Sequence, residues 1–170
     1  LKEFGCEIKE NSDSIIISNQ FNLKDSYLLD CNESGSTLRF LIPYALSLGK
    51  KVKFTGTKKL LSRPLNIYEK LCNENSWTFD KKEDCLIIEG KLKAGEYKID
   101  GNVSSQFISG MIFALVKQPG VSKIVIENEL ESRPYIDLTV DALRKIGAHI
   151  DFSGNLITID GNSQLHGAEF

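Results

Sequence analysis

Two short runs of polar residues have the types and spacing to hold an anion: Ser34-Gly35-Ser36-Thr37 and Ser104-Ser105-Gln106. Each opens an apolar stretch with helical character. A helix N-terminus leaves backbone N–H groups unpaired and carries the positive end of the macrodipole. Serine hydroxyls added there make a compact site for phosphate or carboxylate. Two Arg-Pro pairs, in Ser62-Arg63-Pro64 and Ser132-Arg133-Pro134, would bring fork-shaped cations to the starts of two further helices. Ordinary N-capping also accounts for Ser and Thr at a helix start, and an arginine on a loop is often simply solvated. Spacing alone leaves both readings open.

The elements that must position these groups come in a repeat of about 70 residues. Ser62-Arg63-Pro64 recurs as Ser132-Arg133-Pro134, Leu29-Asp30-Cys31-Asn32 lines up with Ile99-Asp100-Gly101-Asn102, and Ser34 falls on Ser104. Leu86-Ile87-Ile88-Glu89-Gly90 matches Ile157-Thr158-Ile159-Asp160-Gly161 after a one-residue insertion. Each unit reads strand, helix, strand, helix, strand, strand. The first is expected as strand 27–31, helix 35–48, strand 51–56, helix 64–75 and strands 77–80 and 85–89. The second is expected as strand 96–100, helix 104–117, strand 122–127, helix 134–146 and strands 148–152 and 156–160. Alternation such as Lys51-Val52-Lys53-Phe54-Thr55 supports the strands.

Residues 5–18 match only the closing strand pair of a unit. The chain therefore reads as one domain over 1–170, with the end of a truncated unit at 1–20 and complete units at 21–90 and 91–161. Residues 162–170 read as a tail toward a second domain. Leu1-Lys2-Glu3-Phe4 resembles the last turn of a helix, and both ends read as cuts through a longer protein.

The helices fall into two kinds. Helix 134–146 is amphipathic, with Ile136, Val140, Leu143 and Ile146 on one side. Pro134 and Pro64 are expected in first turns, where proline is tolerated. Helices 35–48 and 104–117 are apolar almost all round: Phe107, Ile108, Met111, Ile112, Ala114, Leu115 and Val116 leave little polar face. Such helices must be enclosed. Pro43 should bend the first of them or weaken one turn. The expected fold is mixed α/β (α+β), built of βαβαββ units with buried helices inside and sheets outside.

Composition narrows the function. Net charge is −2, from 21 basic and 23 acidic residues. That argues against nucleic-acid or membrane-surface partners, which need a concentrated positive field. Cys6, Cys31, Cys72 and Cys85 form no C-x-x-C pair and read as reduced thiols of a cytoplasmic protein. The two histidines lack ligand spacing, so no metal is expected, and His149 reads as an exposed strand residue. The phosphate-loop pattern G-x-x-x-x-G-K-[ST] is absent.

Four blocks resemble the EPSP synthases of the enolpyruvyl transferase family, in family order across most of the chain. Asp30-Cys31-Asn32-Glu33-Ser34-Gly35-Ser36-Thr37-Leu38-Arg39-Phe40 is similar to the motif N-x-G-T-x-x-R. Thr55-Gly56-Thr57, Leu60-Leu61 and Ser62-Arg63-Pro64-Leu65 resemble the segment that follows it. Gly101-Asn102-Val103-Ser104-Ser105-Gln106-Phe107 is similar to the S-S-Q-F block, and Ser132-Arg133-Pro134-Tyr135-Ile136-Asp137 to the S-x-P-Y-I-D block. The resemblance implies transfer of the enolpyruvyl group of phosphoenolpyruvate to the 5-hydroxyl of shikimate 3-phosphate, without metal or organic cofactor. By motif, Ser104, Ser105, Gln106, Ser132 and Tyr135 would bind shikimate 3-phosphate. Gly35, Arg63 and Gln106 would meet phosphoenolpyruvate, with Arg39 as supporting architecture. Glu33 and Ser36 depart from the usual Asn and Thr.

The family's Lys-Ser…Arg segment and its acid/base carboxylates have no match here, so the isolated chain is expected not to turn over substrate. The related UDP-N-acetylglucosamine enolpyruvyl transferases lack the S-S-Q-F and S-x-P-Y blocks. A non-catalytic binding module, with the serines as caps, is the alternative of another class.

Overall fold

The computed structural model describes residues 1–19 and 24–169; the expected boundary between residues 20 and 21 lies outside them. A 3-10 turn over Lys2–Phe4 leads into a two-stranded antiparallel hairpin, β1 (Cys6–Glu10) and β2 (Ile15–Asn19). The first unit follows as β3 (Ser26–Asp30), α1 (Gly35–Leu48), β4 (Lys51–Thr55), α2 (Lys58–Leu61), α3 (Asn66–Glu74), β5 (Thr78–Lys81) and β6 (Leu86–Glu89). The second is β7 (Glu96–Asp100), α4 (Ser105–Leu115), β8 (Val121–Glu127), α5 (Arg133–Lys145), β9 (His149–Ser153) and β10 (Leu156–Asp160).

Each unit builds a four-stranded sheet of the same design. The orders are β3-β4-β6-β5 and β7-β8-β10-β9, with the first pair parallel and the others antiparallel. Side chains alternate across each sheet. Tyr27, Leu29, Val52, Phe54, Leu86 and Ile88 point inward from one sheet, and Tyr97, Ile99, Ile124, Ile126, Ile157 and Ile159 from the other. All of these are buried in one continuous core around α1 and α4.

Enclosure is most complete at α4, where Ser105, Phe107 through Ile112, Ala114 and Leu115 are all buried. In α1 it is partial: Leu38, Ile42, Pro43, Ala45 and Leu46 are buried, but Phe40, Leu41, Tyr44 and Leu48 are half-buried. Being apolar all round therefore predicted full burial for one helix and only a buried face for the other.

The crossing of α1 and α4 has a specific chemistry. Pro43 has no N–H, so the carbonyl of Arg39 loses its helical donor. The hydroxyl of Tyr68, reaching in from α3, donates to that carbonyl at 2.8 Å and also lies 3.1 Å from the carbonyl of Phe107. Gly110 makes this possible. A Cβ there would stand 2.6 Å from the Tyr68 hydroxyl and 2.7 Å from the Arg39 carbonyl oxygen.

Several expected boundaries move. The helix expected from residue 64 starts at Asn66, so Pro64 lies before its N-cap, Leu65, and not in its first turn. The unexpected α2 takes up the connection, capped by the Thr57 hydroxyl accepting from the Leu60 N–H, and the chain must turn out of it before α3 can begin. Pro134 does lie in the first turn of α5. Ser104 and Val116 cap α4 and do not extend it. The four cysteines are free thiols; burial pushes Cys31 up to about 11 and Cys72 up to about 12, so both are neutral at physiological pH. His149 is exposed on β9. No helix among the described residues is long and apolar enough to cross a membrane.

Candidate functional site

The tips of α1 and α4 open on the same side of the molecule and are joined by side chains. Ser34 caps α1, its hydroxyl accepting from the Thr37 N–H at 3.2 Å, and Ser104 caps α4 by accepting from the Gln106 N–H at 3.3 Å. Gln106 then bridges the two helices. Its Nε2 donates to Ser36 Oγ at 2.7 Å, and its Oε1 accepts from Arg39 Nη1 at 2.8 Å.

Beside this bridge lies a cavity of about 590 Å³. Ser104, Ser105, Gln106, Ser132 and Tyr135 all line it, together with Ser36, Arg39, Ser109 and Thr139. The sequence singled out the first five; they converge although 31 positions separate Ser104 from Tyr135. Ser132 is held in the left-handed region, at φ 58°, and its hydroxyl makes no capping bond, which leaves it to the cavity. That conformation costs a non-glycine residue about 1–3 kcal/mol. Tyr135 stands 67% exposed at the mouth. Beneath it, Ser109 and Thr139 share a hydrogen bond of 2.9 Å, and the Thr139 hydroxyl also donates to the Tyr135 carbonyl, tying α5 to α4.

Gly35 and Arg63 adjoin the cavity without lining it. A Cβ on Gly35 would stand 2.6 Å from Arg63 Nη1 and 3.4 Å from Arg39 Nη1, so both guanidinium groups gather at the tip of α1. Desolvation, and then the Arg63 charge, lower the pKa of Arg39. Among the described residues neither arginine forms an ion pair. A chain with an overall acidic balance thus gathers two guanidinium groups at one helix N-terminus without a direct ion pair to either. The neighbouring Glu33 pairs with Lys59 at 2.8 Å, whose hydrogen bond and charge, with a smaller contribution from the Arg63 charge, hold its carboxyl below the usual range.

The second Arg-Pro pair behaves differently. Arg133 stacks 4.1 Å over the Phe152 ring, pairs with Asp137 at 3.5 Å and reaches the Gly154 carbonyl at 3.4 Å. It braces the β9–β10 hairpin and takes no part in the cavity. Of the two forks expected at helix starts, only Arg63 faces the anion-binding side.

Arg39, expected only as supporting architecture, lines the cavity and donates to Gln106. The available signal was a charge four residues after Gly35, on the same face of a helix otherwise apolar. The cavity lining contains no carboxylate, histidine or lysine. Among the described residues it offers hydroxyls, an amide and one guanidinium group beside the apolar Phe40, Phe113 and Leu138. Such a surface can bind and orient anions side by side.

The model of the family described as EPSP synthase (3-phosphoshikimate 1-carboxyvinyltransferase) matches residues 1–170. The chain is similar to a 3-phosphoshikimate 1-carboxyvinyltransferase of Clostridium perfringens (strain SM101 / Type A), at 47% identity over 88% of this chain and 36% of the relative. A protein of the same description from Brachyspira hyodysenteriae is 42% identical over 86% of this chain and 35% of that one. Among solved structures, EPSP synthase from Acinetobacter baumannii superposes with a TM-score of 0.75 at 20% identity, over 98% of this chain and 38% of that one. The chain spans little more than a third of the length of the curated relatives it matches.

Proposed function

The chain belongs to the EPSP synthase family, and from that membership we propose that it is the shikimate-3-phosphate-binding domain of a 3-phosphoshikimate 1-carboxyvinyltransferase. The whole enzyme would move the enolpyruvyl group of phosphoenolpyruvate to the 5-hydroxyl of shikimate 3-phosphate and release phosphate. The single observation that carries this reading is the convergence of Ser104, Ser105, Gln106, Ser132 and Tyr135 on one cavity. The serine hydroxyls and the α4 N-terminus take the phosphate of shikimate 3-phosphate. Tyr135 covers its ring from the mouth. Gly35 and Arg63 hold phosphoenolpyruvate at the tip of α1, and Gln106 stands between the two ligands. Fixing two anions next to each other supplies the entropic part of catalysis, and the guanidinium charges offset the repulsion between them.

Proton transfer falls to groups outside these 170 residues, in a second domain of the same enzyme. The isolated chain therefore binds substrate without converting it. No metal or organic cofactor takes part. Cytoplasmic location fits four unpaired cysteines, three of them buried.

Titration of the chain with shikimate 3-phosphate, followed by chemical shifts, tests the assignment. Half a site supports binding in the millimolar range, about 4 kcal/mol, with the perturbed amides at Ser104, Ser105, Gln106, Ser132 and Tyr135. Ser104→Ala/Ser105→Ala abolishes the response. Unmoved resonances up to about 10 mM ligand would leave the serines as caps, and product formed by the purified chain would refute the division of labour.

A further inference from the structure

We infer that Arg39 is a positioning residue that fixes the side-chain amide of Gln106 so that its free N–H faces an incoming anion. The inference rests on the function proposed above and extends it to a residue that touches the ligand only through another. An arginine has donors and no acceptor. The Gln106 atom 2.8 Å from Arg39 Nη1 must therefore be the carbonyl oxygen, Oε1. One hydrogen of Nε2 is on Ser36 Oγ at 2.7 Å. The donor Gln106 has left to offer the cavity is the second Nε2–H. A glutamine without this anchor is free to turn its amide over and present an oxygen to a phosphate or carboxylate, which would repel it.

The setting of Arg39 agrees with a held position. Its guanidinium lies 5.2 Å over the Phe107 ring, on α4, and its Nη1 reaches the tip of α1 at Gly35. Its Nε–H is buried without an acceptor. A helix that only needed to pack would not keep an incompletely satisfied cation here, because a leucine at this position would avoid the desolvation cost. The same contacts give the two helix tips a common reference: Arg39 and Ser36 are on α1, and the amide they orient is on α4.

The test uses the 170-residue chain and two readouts. The first is the Gln106 Nε2 proton pair, identified by its loss in Gln106→Ala. With Arg39 present the pair is displaced from the position of exposed glutamines, the hydrogen held by Ser36 most of all. Arg39→Met, shown folded by its amide spectrum, moves the pair to the exposed position. The second readout is the shikimate 3-phosphate titration. Arg39→Met weakens binding about tenfold, and Arg39→Met/Gln106→Ala binds no more weakly than Arg39→Met alone.

Arg39→Lys, a single-point cation on a shorter reach, recovers part of both signals; it also substitutes for Arg39→Met if that variant does not fold. A Gln106 pair that stays in place in the folded variant overturns the inference, as do additive losses in the double variant. If the parent chain binds no shikimate 3-phosphate, the proposed function fails, while the proton pair still decides whether Arg39 holds Gln106.

Discussion

The two βαβαββ units share a sheet order but divide the labour of the cavity. The second unit supplies neutral donors: Ser104 and Ser105 at the tip of α4, and Ser132 and Tyr135 at the start of α5. The first supplies charge, with Arg39 and Arg63 gathered at the tip of α1. Equivalent positions have moved apart in role. Ser62 has φ −75° and bonds the Lys59 carbonyl, while Ser132 has φ 58° and opens on the cavity. Tyr68 is buried at the helix crossing, while Leu138, 70 positions later, is 67% exposed. Two copies of one backbone plan can thus be specialised by few residues, provided the helix cores between them stay matched.

The comparison breaks most visibly in the core. Phe107→Ala removes a fully buried ring from α4 and costs about 3–5 kcal/mol. Thr37→Ala, at the equivalent position of α1, stays within about 0.5 kcal/mol of the parent; urea unfolding measures both. Next in size is Tyr68→Phe, which strands the Arg39 carbonyl and costs about 1–3 kcal/mol. Its counterpart Leu138→Ala changes stability by about 0.5 kcal/mol or less. Equal losses at the two positions would show that the units are packed alike.

The arginines sharpen the division by function. Arg63→Ala weakens phosphoenolpyruvate binding about tenfold and leaves the melting temperature nearly unchanged. Arg133→Ala does the reverse: affinity holds, and about 0.5–1 kcal/mol of stability goes with the Phe152 contact. The smallest effect has the opposite sign. Ser132→Gly relieves the left-handed conformation and stabilises the fold by about 0.5–1 kcal/mol while weakening shikimate 3-phosphate, whereas Ser62→Gly gives no gain. Calorimetric melting with and without ligand reads both.

Much of this was legible in the residues. The 70-residue offset placed every strand to within a few positions because inward and outward side chains alternate, and α1 ran over the expected 35–48. The cavity serines at 104 and 105 could be found because hydroxyls gather where α1 and α4 begin. What was hidden depends on three-dimensional company. Arg63 and Arg133 occupy the same local motif, and only Phe152 and Asp137 draw the second one away. The left-handed backbone of Ser132 has no glycine to announce it, and the partial exposure of α1 follows from what packs on it, not from its own composition. Helix α2 was missed because four residues carry too little periodicity to register.

Pro43 and Tyr68 are two separate letters of the sequence that can drift only in concert. Pro43→Ala gives the Arg39 carbonyl back its own helical donor, and the Tyr68 hydroxyl then becomes dispensable. In that background Tyr68→Phe should cost almost nothing, while Gly110 stays fixed by the Arg39 carbonyl oxygen 2.7 Å from where its Cβ would stand. A proline inside a helix has thus made a distant tyrosine its dependant, a constraint on descent that inspection of either position alone would miss.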